Sequence, residues 1–365
     1  MLDDHLKYKI AVTFLSGVGP IQAKKLIAYS GGAEAVFKES KKALLKIPGL
    51  GEKMVKSILQ SDVLKLAEEE IRFMEQNDVK ALFYLDKDYP RRLIHCEDNP
   101  VILYTKGNVD FNREKVISII GTRKATISGK AFTEKLIEEL VPHRPLIVSG
   151  LAYGIDITAH KAALKNNLQT IGILAHGLDS VYPAAHNNTA QKMMQNGGVA
   201  SDYRHGGQIF NKQFAERNRI VAGLSDVTVV VESAEKGGSL ITAELASGYN
   251  RDVFAVPGRV GDEYSVGCNK LIKANKAALI ESVKDIEYIM NWQTDGNKII
   301  QQTSLFQELN DQETVIVNIL KEGPESVDLI SIKAEFQMSK TTATLLNLEF
   351  KGVIKSLPGK IYQLI

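Results

Sequence analysis

Two cysteines in 365 residues, Cys96 and Cys268, are too few and too far apart for a disulfide scaffold, and neither sits in a C-x-x-C zinc-ribbon pair. That scarcity suits a reducing compartment. No apolar run approaches the roughly 20 residues of a membrane-spanning helix, and the opening MLDDHLKYKI lacks the apolar stretch of a signal peptide. A cytoplasmic protein with no membrane attachment is expected. An excess of one charge is missing too: 45 Lys and Arg stand against 43 Asp and Glu, a net +2. With so small a whole-chain field, a nucleic-acid partner would have to be held by a local basic surface.

Catalytic signatures are also absent. No G-x-S-x-G elbow surrounds Ser149. No G-K-[ST] follows a strand, so no nucleoside triphosphate and magnesium site is indicated. His176, Asp179 and His186 show no metal-ligand spacing, and His160, one turn after Asp156, reads as a local hydrogen-bond partner. No catalytic residue, metal or cofactor is expected.

What is present falls into three segments, as the length demands. Residues 1–90 read as helical and carry a repeat: FLSGVGPIQAKKL and KIPGLGEKMVKSI each place two glycines ahead of an amphipathic helix. Gly17 and Gly19, and Gly49 and Gly51, let the backbone turn tightly and expose amides to which a phosphate oxygen can dock. The repeat resembles the helix-hairpin-helix (SAM-like) motif, which implies a weak DNA contact; such repeats also serve as packing modules.

Residues 91–292 alternate strands and helices. VISIIG (116–121), PLIVSG (145–150), QTIGILA (169–175), VTVVVES (227–233) and DVFAVPG (252–258) are short, nearly continuous apolar runs, as strands buried on both faces require. Helical stretches at 129–141, 156–166 and 239–250 separate them. The pattern predicts an α/β fold: an extended Rossmann-like, doubly wound parallel sheet. Residues 293–312 read as a polar linker. Residues 313–365 predict a winged helix-turn-helix: two helices, a Ser-capped third, then a hairpin turning at Pro358-Gly359. That segment has no excess of base, so a protein partner is as open as duplex DNA.

In such sheets ligands sit beyond the carboxyl ends of the strands. There the sequence places Gly121, Thr122, Arg123 and Lys124, with Ser128 at the next helix start. It also places S-G-L-A-Y-G-I-D with Gly150, Tyr153 and Gly154, then F-A-E-R-N-R with Arg217, Asn218 and Arg219, then E-K-G-G-S with Lys236, Gly238 and Ser239. Glycine turns, free amides and three guanidiniums on one rim suit anionic oxygens, since arginine forks match phosphate. Arg217 and Arg219 are equally suited to bracing the sheet internally, and Lys124 and Lys236 to plain solvation.

These residues resemble the DNA-processing protein A (DprA/Smf) family. GTRKATISG, SGLAYGIDITAH, GLDSVYP, RNRIVAGLS, KGGSLITAELA, VFAVPG and SVGCNKLI follow one another in register across most of the chain. The resemblance implies a homodimer with no reaction to catalyse. It would bind and protect single-stranded DNA during natural transformation and load the recombinase RecA onto it. It also implies roles: Arg123 for the arginine of the first turn, Phe214 as a base-stacking aromatic, Arg217 and Arg219 for the R-N-R pair, and Lys236, Gly238 and Ser239 for the glycine-rich turn. The chain departs from the family pattern at Tyr153, where many relatives have lysine, and at Ala175 and Ala215. Two other readings compete. K-G-G-S-L-I-T-A-E loosely resembles the turn of Rossmann-like phosphoribohydrolases, with Glu244 as their final glutamate, and a pure protein adaptor would need no nucleic acid at all.

Overall fold

The computed structural model describes residues 4–60, 62–292 and 309–365. All but the last four residues of the expected linker lie outside these ranges. The central element is a nine-stranded sheet: β1 (Lys80–Phe83), β2 (Ile102–Gly107), β3 (Val116–Ile120), β4 (Leu146–Ser149), β5 (Thr170–Ile173), β6 (Gly197–Ser201), β7 (Val227–Val230), β8 (Asp252–Ala255) and β9 (Ala278–Leu279). Their order is β1-β2-β6-β5-β4-β3-β7-β8-β9. β3 to β9 pair in parallel, β2 is antiparallel to β6, and β1 is antiparallel to β2. The five apolar runs form the centre because each buries both faces. In β3, Ile117 and Ile119 pack under the helices Ile127–Glu139 and Ile155–Lys165, while Val116 and Ile120 pack under Asn211–Leu224 and Gly238–Gly248.

Four strands carried no comparable signal. β6 is Gly-Gly-Val-Ala-Ser, its glycines admitted because a Cβ on Gly197 would strike the carbonyl of Thr170 on β5. β1 lies within the segment expected to be purely helical, yet its Lys80 pairs with Thr105. The sheet therefore begins at Lys80 rather than near residue 91. The helices Asp4–Thr13, Pro20–Ser30, Glu52–Gln60 and Val63–Asn77 pack together and onto this edge through Ile10, Leu26, Val55, Ile71, Phe83 and Ile102.

A buried ion pair ties the two halves of the sheet's support together. Arg92, in the short helix Arg91–Ile94, reaches both carboxylate oxygens of Asp226 at 2.6 and 2.7 Å. Asp226 also accepts the Val116 amide at 2.9 Å, and Arg92 and Asp226 are only 5% and 4% exposed.

The C-terminal unit has the helices Asp311–Leu320, Val327–Lys333 and Met338–Phe350 with a small sheet of β10 (Glu325–Ser326), β11 (Ile354–Leu357) and β12 (Ile361–Leu364), ordered β10-β12-β11. This is a winged helix. The serine cap belongs to the second helix, where Ser326 Oγ accepts the Leu329 amide; the third starts after Gln337 with no side-chain cap. The wing tip rests on the large domain: the Gly359 amide donates to the Asn250 carbonyl at 3.1 Å, and Arg251 Nη1 donates to the Pro358 carbonyl at 3.0 Å. No helix among the described residues is long and apolar enough to cross a membrane.

Candidate functional site

β3 leads to β4 on one side and has β7 on the other, so the chain's winding reverses at β3 and a crevice opens beyond its carboxyl end. A groove of about 510 Å³ fills that crevice, lined by Gly121, Thr122, Arg123, Lys124, Gly150, Phe214, Arg217, Asn218, Gly238 and Ser239. A smaller compartment of about 110 Å³ adjoins it, sharing Arg123, Phe214 and Arg217 and adding Leu151, Tyr153, Leu174, Tyr182 and Pro183.

Glycine makes the floor possible. A Cβ on Gly121 would lie 2.5 Å from Ile155 Cγ1, and one on Gly150 would lie 2.5 Å from Asp156 Oδ2 and 2.6 Å from Arg217 Nη2. Gly154 holds φ +80° at the start of Ile155–Lys165, where a Cβ would strike the Thr122 carbonyl. Two histidines steady the loop above β4. His160 Nε2–H donates to the Gly150 carbonyl at 2.6 Å, and His186 Nδ1–H donates to the Leu151 carbonyl at 2.8 Å. His160 is fully buried, and that burial lowers its pKa to about 4. His160 thus bonds across to β4's turn rather than to Asp156, and these histidines act as loop braces.

Arg123 and Lys124 stand exposed on the groove lip, and among the described residues no carboxylate is within ion-pair distance of either. The Arg123 guanidinium lies 5.3 Å from the Phe214 ring centroid, a cation–π distance. Beneath them Arg217 is buried beside Asp156. Burial lifts the Asp156 carboxyl from 3.8 to about 6, against the pull of Arg217. Asp156 thus gains its negative charge as pH rises through about 6, beside the guanidinium a phosphate would use. An anionic ligand should accordingly bind more tightly at pH 5.5 than at 7.5. Asp156→Asn should flatten that part of the profile, as read from binding isotherms across the range.

Several expected residues fall elsewhere. The helix after β3 starts at Ile127, and its N-terminus is already filled: Glu232 accepts from the Thr126 amide at 2.9 Å and from Thr126 Oγ1 at 2.5 Å. Thr126 Oγ1 in turn accepts the Gly129 amide at 3.0 Å. A carboxylate there uses the helix dipole and the amides that a phosphate would need. Ser128 consequently faces a different groove, with Glu232, Arg259 and Asp262.

Arg219 also turns away. F-A-E-R-N-R is not a rim loop but part of the helix Asn211–Leu224, where residues two apart point to opposite sides. Arg217 faces the groove, while Arg219 binds the Asp202 carboxylate and the Asp98 carbonyl in the seam below the helical domain. The first hairpin is in that seam too. Gly17 and Gly19 line it with Asp98, Asp202, Lys212, Glu216 and Arg219, where Arg219 is paired with Asp202 and Lys212 with Glu216. The second, with Gly49 and Gly51, is exposed. Lys236 is exposed in the loop before Gly238–Gly248, beside the groove rather than in its wall.

Glu244 projects from that helix into solvent and pairs with Lys276 at 3.6 Å, so the glutamate of a phosphoribohydrolase turn has no counterpart in the groove. The carboxylates that do line it are buried Asp156 and exposed Glu263. Tyr182, Asn211 and Tyr264 line the site without having been singled out, although Tyr182 sits in the G-L-D-S-V-Y-P motif itself.

Residues 80–291 match the family model of DNA recombination-mediator protein A, and 302–360 match the DprA winged helix domain. The chain is 31% identical to Protein Smf of Synechocystis, over the whole of both chains. It is 41% identical to DNA processing protein DprA of Streptococcus pneumoniae, over 55% of this chain and 71% of that one. The X-ray structure of the Streptococcus pneumoniae DprA aligns with a TM-score of 0.67 at 33% identity, covering 77% of this chain and 97% of that chain. The DNA processing protein A of Helicobacter pylori, solved for its single-stranded DNA binding mode, aligns at 0.53 and 30% identity, covering 58% of this chain and 95% of that chain.

Proposed function

Because this chain belongs to the DNA recombination-mediator protein A (DprA/Smf) family, we propose that it binds single-stranded DNA in the groove beyond β3, β4 and β7. In this reading it carries out no reaction on the strand, protects it in the cytoplasm, and as a homodimer delivers it to RecA during natural transformation. The observation that carries the reading is a pair of exposed cations, Arg123 and Lys124, left without carboxylate partners beside an aromatic and a buried guanidinium. That combination suits a backbone phosphate with a stacked base.

The test is fluorescence anisotropy of a labelled single strand against a duplex of equal length, over a range of salt. The single strand should bind more tightly, and log affinity should fall linearly with log salt by about 0.7 per neutralised phosphate. Equal affinity for the duplex, or no dependence on salt, would count against the groove. A strand-exchange assay with RecA then tests delivery, and sedimentation tests the dimer.

A further inference from the structure

The helical domain carries the same glycine hairpin twice, and the structure gives the two copies opposite surroundings. Beside the first, Arg219 is paired with Asp202 and Lys212 with Glu216. The second joins the short helix Lys41–Leu44 to the helix Glu52–Gln60 and faces solvent. Leu44, Ile47, Leu50, Val55 and Ile58 bury the inner side of this unit in the domain core. Its outer side is basic. Lys41, Lys42, Lys46, Lys53 and Lys56 are all exposed, and among the described residues no carboxylate lies within ion-pair distance of any of them. The preceding lysine, Lys38, does have a partner, Glu34 at 2.6 Å. Against this run of cations stand only Glu39 and Glu52 between Lys38 and Lys56. On a chain whose net charge is +2, that is a local excess and not part of a general one.

Two further features indicate what such a face can hold. The turn is open: a Cβ on Gly49 or Gly51 would meet nothing within 4 Å, so a ligand's backbone can lie directly against the chain there. Lys46 and Lys53 bracket these glycines in the sequence, and Lys56 follows Lys53 on the same helical face. Stacking rings, in contrast, are missing, since no aromatic residue occurs from Lys38 to Arg72. A single strand is gripped by charge together with stacking, whereas a duplex turns its bases inward and offers its phosphates outward. No residue of this unit lines the groove beyond β3 or the compartment beside it. We propose that the second hairpin docks duplex DNA by its phosphates, without regard to sequence, at a site separate from that groove. The site stands whether or not the groove takes a single strand.

The test is anisotropy on the full chain with two probes: a blunt duplex of about 20 base pairs, and an oligothymidylate of about ten residues, within the usual span of one single-strand site. Lys46→Ala/Lys53→Ala should weaken duplex binding by roughly 25-fold near physiological salt and reduce the log–log salt slope by about 1.8, as for two B-DNA phosphates. The oligothymidylate isotherm should not move, and Arg123→Ala should leave the duplex isotherm unchanged. Lys46→Arg/Lys53→Arg should keep affinity and slope, because the charge is kept. Gly51→Asp separates folding from docking. Aspartate is favoured just ahead of a helix, so the melting temperature should hold or rise, while a carboxylate among the lysines should weaken duplex binding by roughly tenfold. No duplex binding by the unmodified protein, or binding undiminished in the lysine and aspartate variants, would overturn the hairpin site and leave the groove untouched. Duplex binding lost in Arg123→Ala instead would place the duplex in the groove and overturn it as well. If the oligothymidylate fails to bind while the duplex behaves as expected, the strand-binding reading falls alone.

Discussion

Arg123→Ala should weaken single-stranded DNA binding by roughly 10- to 100-fold, measured by anisotropy at fixed salt. The guanidinium is exposed on the groove lip, has no carboxylate partner among the described residues, and is oriented over Phe214 at 5.3 Å. Losing a charge-assisted bond to phosphate costs about 1.5–3 kcal/mol. The cation–π contact with Phe214 is already made in the free protein, so it orients the fork without adding to this loss. The salt slope should shrink by about 0.7, one phosphate's worth for a single strand. Arg123→Lys should retain the slope but recover only part of the affinity, because an ammonium cannot offer two parallel donors. Folding should be untouched, and an unchanged affinity in the alanine variant would remove the phosphate from this turn.

The second large effect is on stability. Arg92→Ala leaves the buried Asp226 carboxyl without its guanidinium, with only the Val116 amide still donating to it. Breaking a buried pair from one side costs about 3–5 kcal/mol. For the sheet domain, residues 80–291, melting as a unit, that should lower its melting temperature by about 6 to 20 °C. Replacing both residues with leucine should recover part of the loss, since no stranded charge is left, but not all of it, since the Val116 amide then lacks an acceptor. A melting temperature unchanged in Arg92→Ala would mean that the pair carries little of the domain's stability.

The centre of the sheet was legible because burial on both faces writes continuous apolar runs, and the glycine turns at Gly121 and Gly150 followed from the strand ends. β6 was not, because a glycine pair and an alanine carry no pattern; what fixes them is the close approach of β5 and β2, visible only in three dimensions. Arg217 and Arg219 look equivalent in R-N-R, and they separate only once the segment is seen to be helical. Ser128 was assigned by analogy with phosphate-binding helix starts, but the residue that fills this one, Glu232, comes from β7's carboxyl end, over a hundred residues away. Tyr182 reaches the site from the loop after β5, and its place beside Phe214 depends on the chain's passage through β6, which no local spacing encodes.

Glu232 has a consequence for competition inside a cell. In a dinucleotide-binding sheet, the start of the helix after the first central strand is where one pyrophosphate is gripped strongly enough to hold a small molecule. Here that seat is taken from within by the protein's own carboxylate. If the groove holds a strand, as proposed, a free nucleotide would find only the cations of the open lip, whereas a strand could engage several contacts at once and gain from each after the first. On the strand-binding proposal the groove should therefore favour length, and mononucleotides, chemically the same as the strand's own units, should compete weakly for it.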